Sequence, residues 1–138
     1  MINNAGLSPK ERLAHVKRRE ITPADWRRKA TFLHSLHTCC LSGRNQIELS
    51  HLHEGSFKLG RKVSNVLVLP MNYILHKAQH RDPGFWAKAL PGHDPKEWAV
   101  RLDKICQDND PEAAEALLQH MQANANRGYM TGLFMAEV

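Results

Sequence analysis

The stretch from Ile47 to His80 constrains the fold more than any other part of the chain. Ile47 and Leu49 alternate with polar neighbours, the pattern of a half-buried strand, and Ser50-His51-Leu52-His53 closes it. Residues 54–64 are rich in Gly and Lys and read as a loop. Val66-Leu67-Val68-Leu69 is an apolar run ended by Pro70, which reads as a buried strand. Residues 72–81 then read as a helix that carries His76 and His80 four apart, on one face. A lone His therefore ends one strand, an Asn precedes the next, and a His-x3-His pair follows on a helix.

The flanks are helical. Ser8-Pro9-Lys10-Glu11 combines a capping residue, a first-turn proline and a capping-box glutamate, and starts a helix that runs to about Arg19. Thr22-Pro23-Ala24-Asp25 repeats the signal for a second helix to about Leu36, with Trp26, Ala30, Leu33 and His37 on one face. Cys39 to Ser50 reads as a short hairpin that turns at Ser42-Gly43-Arg44-Asn45. Asp82-Pro83-Gly84 breaks the chain, and Phe85-Trp86 reads as a core anchor. Asp94-Pro95 and Asp110-Pro111 open helices over about 95–108 and 111–126, Gly128 reads as a C-cap, and the apolar tail from Tyr129 docks. The expectation is one α+β domain over 1–138: mostly helical, wrapped around a small β-rich centre.

Charge is unevenly spread. Residues 1–62 carry 12 Lys/Arg against 5 Asp/Glu, while residues 63–138 carry 7 against 9, within a net charge of +5. A basic first half suits a phosphate-bearing partner through counterion release; a solvated basic face is the plainer alternative. No apolar run approaches the ~20 residues of a membrane span, and the first residues carry no apolar signal segment. Three cysteines, two of them adjacent, argue against a disulfide framework. A cytoplasmic protein is expected.

Phosphodiester hydrolysis requires a base active near neutral pH, a divalent cation against the phosphate, and a group that fixes the base's tautomer. His51 is the candidate base and Asn65 the candidate orienting amide. His76 and His80 share a helix face and are candidate metal ligands. Lys58, Arg61 and Lys62 lie in the intervening loop and are candidate phosphate contacts. Taken singly, each has an ordinary reading: a packing histidine, a turn asparagine, a chance His pair, an exposed basic loop. Their joint order carries the chemical reading.

At these residues the sequence resembles the phage and prophage HNH-like (ββα-metal) nucleases, including the RecA-dependent recombination enhancement nuclease. His51-Leu52 resembles the second His of that family's His-His-Ile/Leu pair and its apolar neighbour. Gly60-Arg61-Lys62-Val63-Ser64-Asn65 resembles its Gly-x-Lys-x-x-Asp loop, with Asn65 where Asp is common. Leu69-Pro70-Met71-Asn72 resembles Val-Pro-Leu-Cys, His76 and His80 fall on the family's last two His, and Phe85-Trp86 on its closing aromatics. The resemblance covers about residues 39–86, between basic N-terminal helices (1–37) and C-terminal helices (94–138).

That resemblance implies a ββα-metal core and a metal-dependent DNA endonuclease of phage or prophage recombination or DNA processing. Mg2+, Mn2+ or Zn2+ would be the cofactor and DNA the partner, with a host recombinase filament and a homodimer as further candidate associations. Arg18, Arg19, Arg27, Arg28 and Lys29, on the basic N-terminal helices, would extend the DNA footprint, with Lys17 beside them. The sequence also departs from the family. Ser50 stands where many relatives have a metal-binding His or Asp, with His53 as a substitute from the opposite strand face. Asn72 and Leu75 replace residues of a structural zinc site. Cys39 and Cys40 resemble the remnant of a Cys knuckle; with His34 and His37 they offer a compact zinc cluster, against buried structural thiols. Two other readings stand beside the nuclease: a catalytically degenerate module that binds DNA or protein, and a helical adaptor that touches no nucleic acid.

Overall fold

The computed structural model describes Ser8, residues 21–52 and residues 64–137. Its elements, in chain order, are α1 (Pro23–Ser35), β1 (Ile47–His51), β2 (Val68–Asn72), α2 (Tyr73–Arg81), α3 (Phe85–Ala89), α4 (Pro95–Asp108), α5 (Pro111–Asn124) and α6 (Arg127–Ala136). The architecture is α+β and mostly helical, with one antiparallel strand pair. No helix among the described residues is long and apolar enough to cross a membrane. The expected helix over Pro9–Arg19 and the loop 54–63 lie outside the described residues.

Helix starts follow the local chemistry of the sequence. The Thr22 hydroxyl accepts from the Asp25 amide at 3.1 Å, and the carboxylates of Asp94 and Asp110 accept from the amides of Lys96 and Ala113 at 3.0 and 3.1 Å. In all three helices a proline fills the first turn, where its missing N–H costs nothing. Helix α4 ends at Asn109, which takes the left-handed conformation (φ 51°). Gly128 is not a C-cap. Helix α5 stops at Asn124, and Asn126 caps a further helix, α6, by accepting from the Tyr129 amide at 3.2 Å. That helix docks the tail by burying Met130.

The strands differ from their expected limits. β1 pairs with β2, with Ile47 opposite Asn72, Leu49 opposite Pro70 and His51 opposite Val68. The expected hairpin within 39–50 is absent: residues 39–44 form a tight turn, in which the Cys39 amide donates to the Arg44 carbonyl (2.8 Å) and the Gly43 amide to the Cys39 carbonyl (3.0 Å). Gly43, at φ 75°, takes the backbone conformation that other residues resist. Pro70 does not end β2 but sits inside it. A two-stranded sheet leaves β2 an edge, where a missing N–H is tolerated, and the Pro70 carbonyl accepts from the Cys40 amide at 2.9 Å.

Every residue of β2 is buried, because helices cover both faces of the pair. Helix α1 packs on β1 and on α4; α2 packs on both strands; α4 also packs on β2 and α5; α6 packs on α2 and α3. Leu33, Leu67, Met71, Leu75, Phe85 and Leu102 are fully enclosed in the shared core. Phe85 is the anchor expected of it, while Trp86 is only partly buried and meets Phe85 edge-on at 5.2 Å.

Asn72 joins strand to helix. Its Oδ1 accepts from the Ile74 amide (3.0 Å), capping α2, and its Nδ2 donates to the Asn45 carbonyl (2.9 Å). Asn72→Ala is expected to lower stability by about 1–2 kcal/mol, read as a lower denaturant midpoint with an unchanged m-value.

Candidate active site on the two faces of the strand pair

His51 ends β1, and its Nε2 lies 2.8 Å from Asn65 Oδ1. An amide oxygen only accepts, so Nε2 donates to it and Nδ1 is the basic nitrogen of the ring. The Trp26 ring of α1 stands against the imidazole, with centroids 5.4 Å apart. Half-buried, the ring is packed on one side by Trp26 and hydrogen-bonded on another by Asn65.

Asn65 is held in turn by its own backbone. The Lys29 ammonium donates to the Asn65 carbonyl at 2.7 Å and to the Val66 carbonyl at 3.2 Å, and it pairs with Asp103 Oδ1 at 2.8 Å. The Val66 amide donates to Ser64 Oγ at 3.1 Å, and the Leu52 amide to the Leu67 carbonyl at 2.8 Å.

Lys29 is therefore not a DNA contact. Its side chain is 3% exposed, because three positions beyond Trp26 and four before Leu33 it falls on the buried face of α1. Arg27 and Arg28 do lie on the exposed side. Together with Thr31 and Ser35 they edge a shallow hollow of about 490 Å3, and Arg28 also pairs with Asp25 at 2.9 Å. Arg18, Arg19, Lys58, Arg61, Lys62 and His53 lie outside the described residues.

The second histidine group is on the other face of β1. His76 and His80 of α2 bring their Nε2 atoms to 3.1 Å. Glu48 reaches across from β1, its Oε1 2.9 Å from His76 Nδ1. The carboxylate holds a proton on Nδ1 and so turns the His76 Nε2 lone pair towards His80. Ser50 also faces α2, buried, and its hydroxyl donates to Gln79 Oε1 at 2.5 Å. Strand alternation thus places Glu48 and Ser50 towards α2 and His51 towards α1. Ser50 and His51 are consecutive, as are Gln79 and His80, so one hydrogen bond ties the two halves together.

Two imidazoles on one divalent ion at ~2.0–2.1 Å from each nitrogen have those nitrogens roughly 3 Å apart, as they are here. The donor set fits half of a metal site. Among the described residues no group of three or more His, Cys, Asp or Glu converges. The four-residue zinc cluster of His34, His37, Cys39 and Cys40 is likewise absent: both histidines are exposed and both thiols are enclosed.

Glu48, Trp26 and Gln79 are not among the site residues expected from the sequence, where Trp26 figures only on a helix face. A signal existed for Glu48, which lies two residues before Ser50 on one strand face; nothing local marks Gln79 as the Ser50 partner.

The cysteines form a separate device. The Leu41 and Ser42 amides both point at Cys39 Sγ, at 3.4 Å. The Cys40 thiol, helped by the Asn72 backbone amide and by the Ser42 hydroxyl and amide, pulls the Cys39 thiol down to about 5 against the opposing effect of burial; burial and the neighbouring thiolate push Cys40 well up. The Cys39 value is depressed, so the stability it contributes is full above its ordinary 9.0 and is lost as pH falls towards about 5. The stability difference between the wild type and Cys39→Ala should therefore shrink across that window, read from denaturant midpoints at stepped pH; a pH-independent difference would show that Cys39 acts by packing alone.

No protein-family model, curated protein or solved structure matches this chain.

Proposed function

We propose that this protein is a metal-dependent DNA endonuclease of the HNH-like, ββα-metal kind. The observation that carries the reading is the 2.8 Å bond from His51 Nε2 to Asn65 Oδ1. It spans 14 positions of sequence and leaves Nδ1 of the imidazole as the atom that would take a proton from water. On the other face of β1, His76 and His80 offer two nitrogens to a Mg2+, Mn2+ or Zn2+ ion, with Glu48 buttressing the first. Such an ion supplies Lewis acidity to the scissile phosphate and its leaving oxygen. His51 takes the proton of the attacking water, Asn65 keeps the imidazole in the competent tautomer, and Trp26 shields one side of the ring. Arg27 and Arg28 stand ready for backbone phosphates. The biological setting proposed is phage or prophage recombination or DNA processing, with a recombinase filament or a second copy of the chain as associates.

A second reading is a binding module that keeps the fold without turnover. It is favoured by Ser50, whose hydroxyl is committed to Gln79 where a third ligand would strengthen the metal site. Cleavage of supercoiled plasmid and of single-stranded DNA, with each metal and with EDTA, separates the two. Under the nuclease reading the wild type cuts only with metal, and His51→Ala and His76→Ala both abolish cutting. His51→Ala still binds DNA. Salt-sensitive DNA binding without cutting by the wild type would leave the binding module.

Glu48 gives a test of the metal alone. Glu48→Gln is expected to weaken Zn2+ binding by about 10–100-fold in calorimetry, while His51→Ala leaves it unchanged. Equal affinity in Glu48→Gln and wild type would take the metal away from His76.

A further inference from the structure

Lys29 and Asp103 are buried, at 4% and 0% exposure, in a core that is otherwise almost entirely apolar. An ion pair in such a place gives little net stability, since desolvating two charges offsets most of their attraction. Its geometry shows a more specific use. The Lys29 ammonium does not spend itself on Asp103 alone. It also grips two consecutive main-chain carbonyls, those of Asn65 and Val66. These carbonyls belong to the turn that presents the Asn65 side chain to His51. Asp103 of α4, which accepts from Gln107 Nε2 through its second oxygen at 3.1 Å, keeps the ammonium from swinging away. Trp26, one helical turn before Lys29, packs on the same imidazole. One face of α1 thus sets both the wall beside His51 and the height of the amide that orients it.

We propose that Lys29 and Asp103 are positioning residues for His51: through the Asn65 carbonyl they hold the Asn65 amide where it keeps the imidazole in its Nε2–H tautomer. The proposal rests on the nuclease reading for its catalytic consequence, but the tautomer can be read without activity. Neither residue touches substrate or metal. A conventional basic side chain at position 29 would have been placed on the DNA; its burial gives it this other task.

The test uses the full chain with the paired replacement Lys29→Met with Asp103→Leu, which removes both charges of this ion pair together. Folding is followed by circular dichroism. The tautomer is read from proton–nitrogen multiple-bond NMR correlations of the imidazoles, with His51 assigned by its disappearance in His51→Ala. The wild type should show a protonated Nε2 and a bare Nδ1. The folded double variant should show the average of two tautomers, and its DNA cleavage should fall by about 10–100-fold in kcat with DNA affinity unchanged. A folded double variant that keeps the wild-type tautomer overturns the proposal, as does a loss of cleavage that appears only as weaker DNA binding. A wild type that cuts no DNA removes the nuclease reading, and the tautomer comparison still decides the positioning role. If the double variant does not fold, Asp103→Asn, which keeps the volume and weakens the hold on Lys29, is read in the same way with the same expected direction.

Discussion

A pair of five-residue strands cannot stand by itself in water, and everything else in this structure follows from covering it. The pair has two faces and, among the described residues, no third strand. Helix α1 closes one face and α2 the other, while α4 seals β2. Burial of every β2 residue is the result. The long C-terminal helices add no chemistry of their own to the centre, apart from Asp103. They make the centre dry, and a dry centre is what fixes the side chains at its edges.

Because strand side chains alternate, covering the two faces separately also divides the candidate site. His51 goes with α1 and Trp26, and Glu48 and Ser50 go with α2 and the histidine pair. The halves remain neighbours because consecutive residues carry them. Each half of the candidate site is thus supported by its own helix, His51 by α1 and the histidine pair by α2. The hydroxyl of Ser50, bonded to Gln79, ties the strand to α2.

The polar groups that enter the core serve as struts. Asn72 links a strand end, a helix start and the Asn45 carbonyl. Lys29 links α1, α4 and the Asn65 turn. In a low-dielectric interior each such group must find partners, and an unsatisfied one is costly. Each strut therefore pins several elements at once, and loosening any of them would move residues distant in sequence. The Cys39 turn does the same at the outer edge of β2, with the Cys40 amide bonded to the Pro70 carbonyl.

The sequence by itself determined the parts that depend on near neighbours. Pro and Asp, Thr or Asn at helix starts place donors and acceptors within three residues of one another, so α1, α4 and α5 were legible to within two residues. The four-residue spacing of His76 and His80 guaranteed a shared face, and the order of His51, Asn65 and that pair suggested a common chemistry. The tertiary structure alone decided what depended on distant partners. Strand register set which residues of β1 face which helix and carried Pro70 inside β2. The Cys39 segment became a tight turn instead of a hairpin because its bonds run to Arg44 and to the neighbouring strand. Lys29 became an interior strut because the carbonyls of Asn65 and Val66 and the carboxylate of Asp103, 36 to 74 positions away in sequence, converge on its ammonium. A charge on an apolar helix face can be seen in the sequence, but its partners are brought together only by folding.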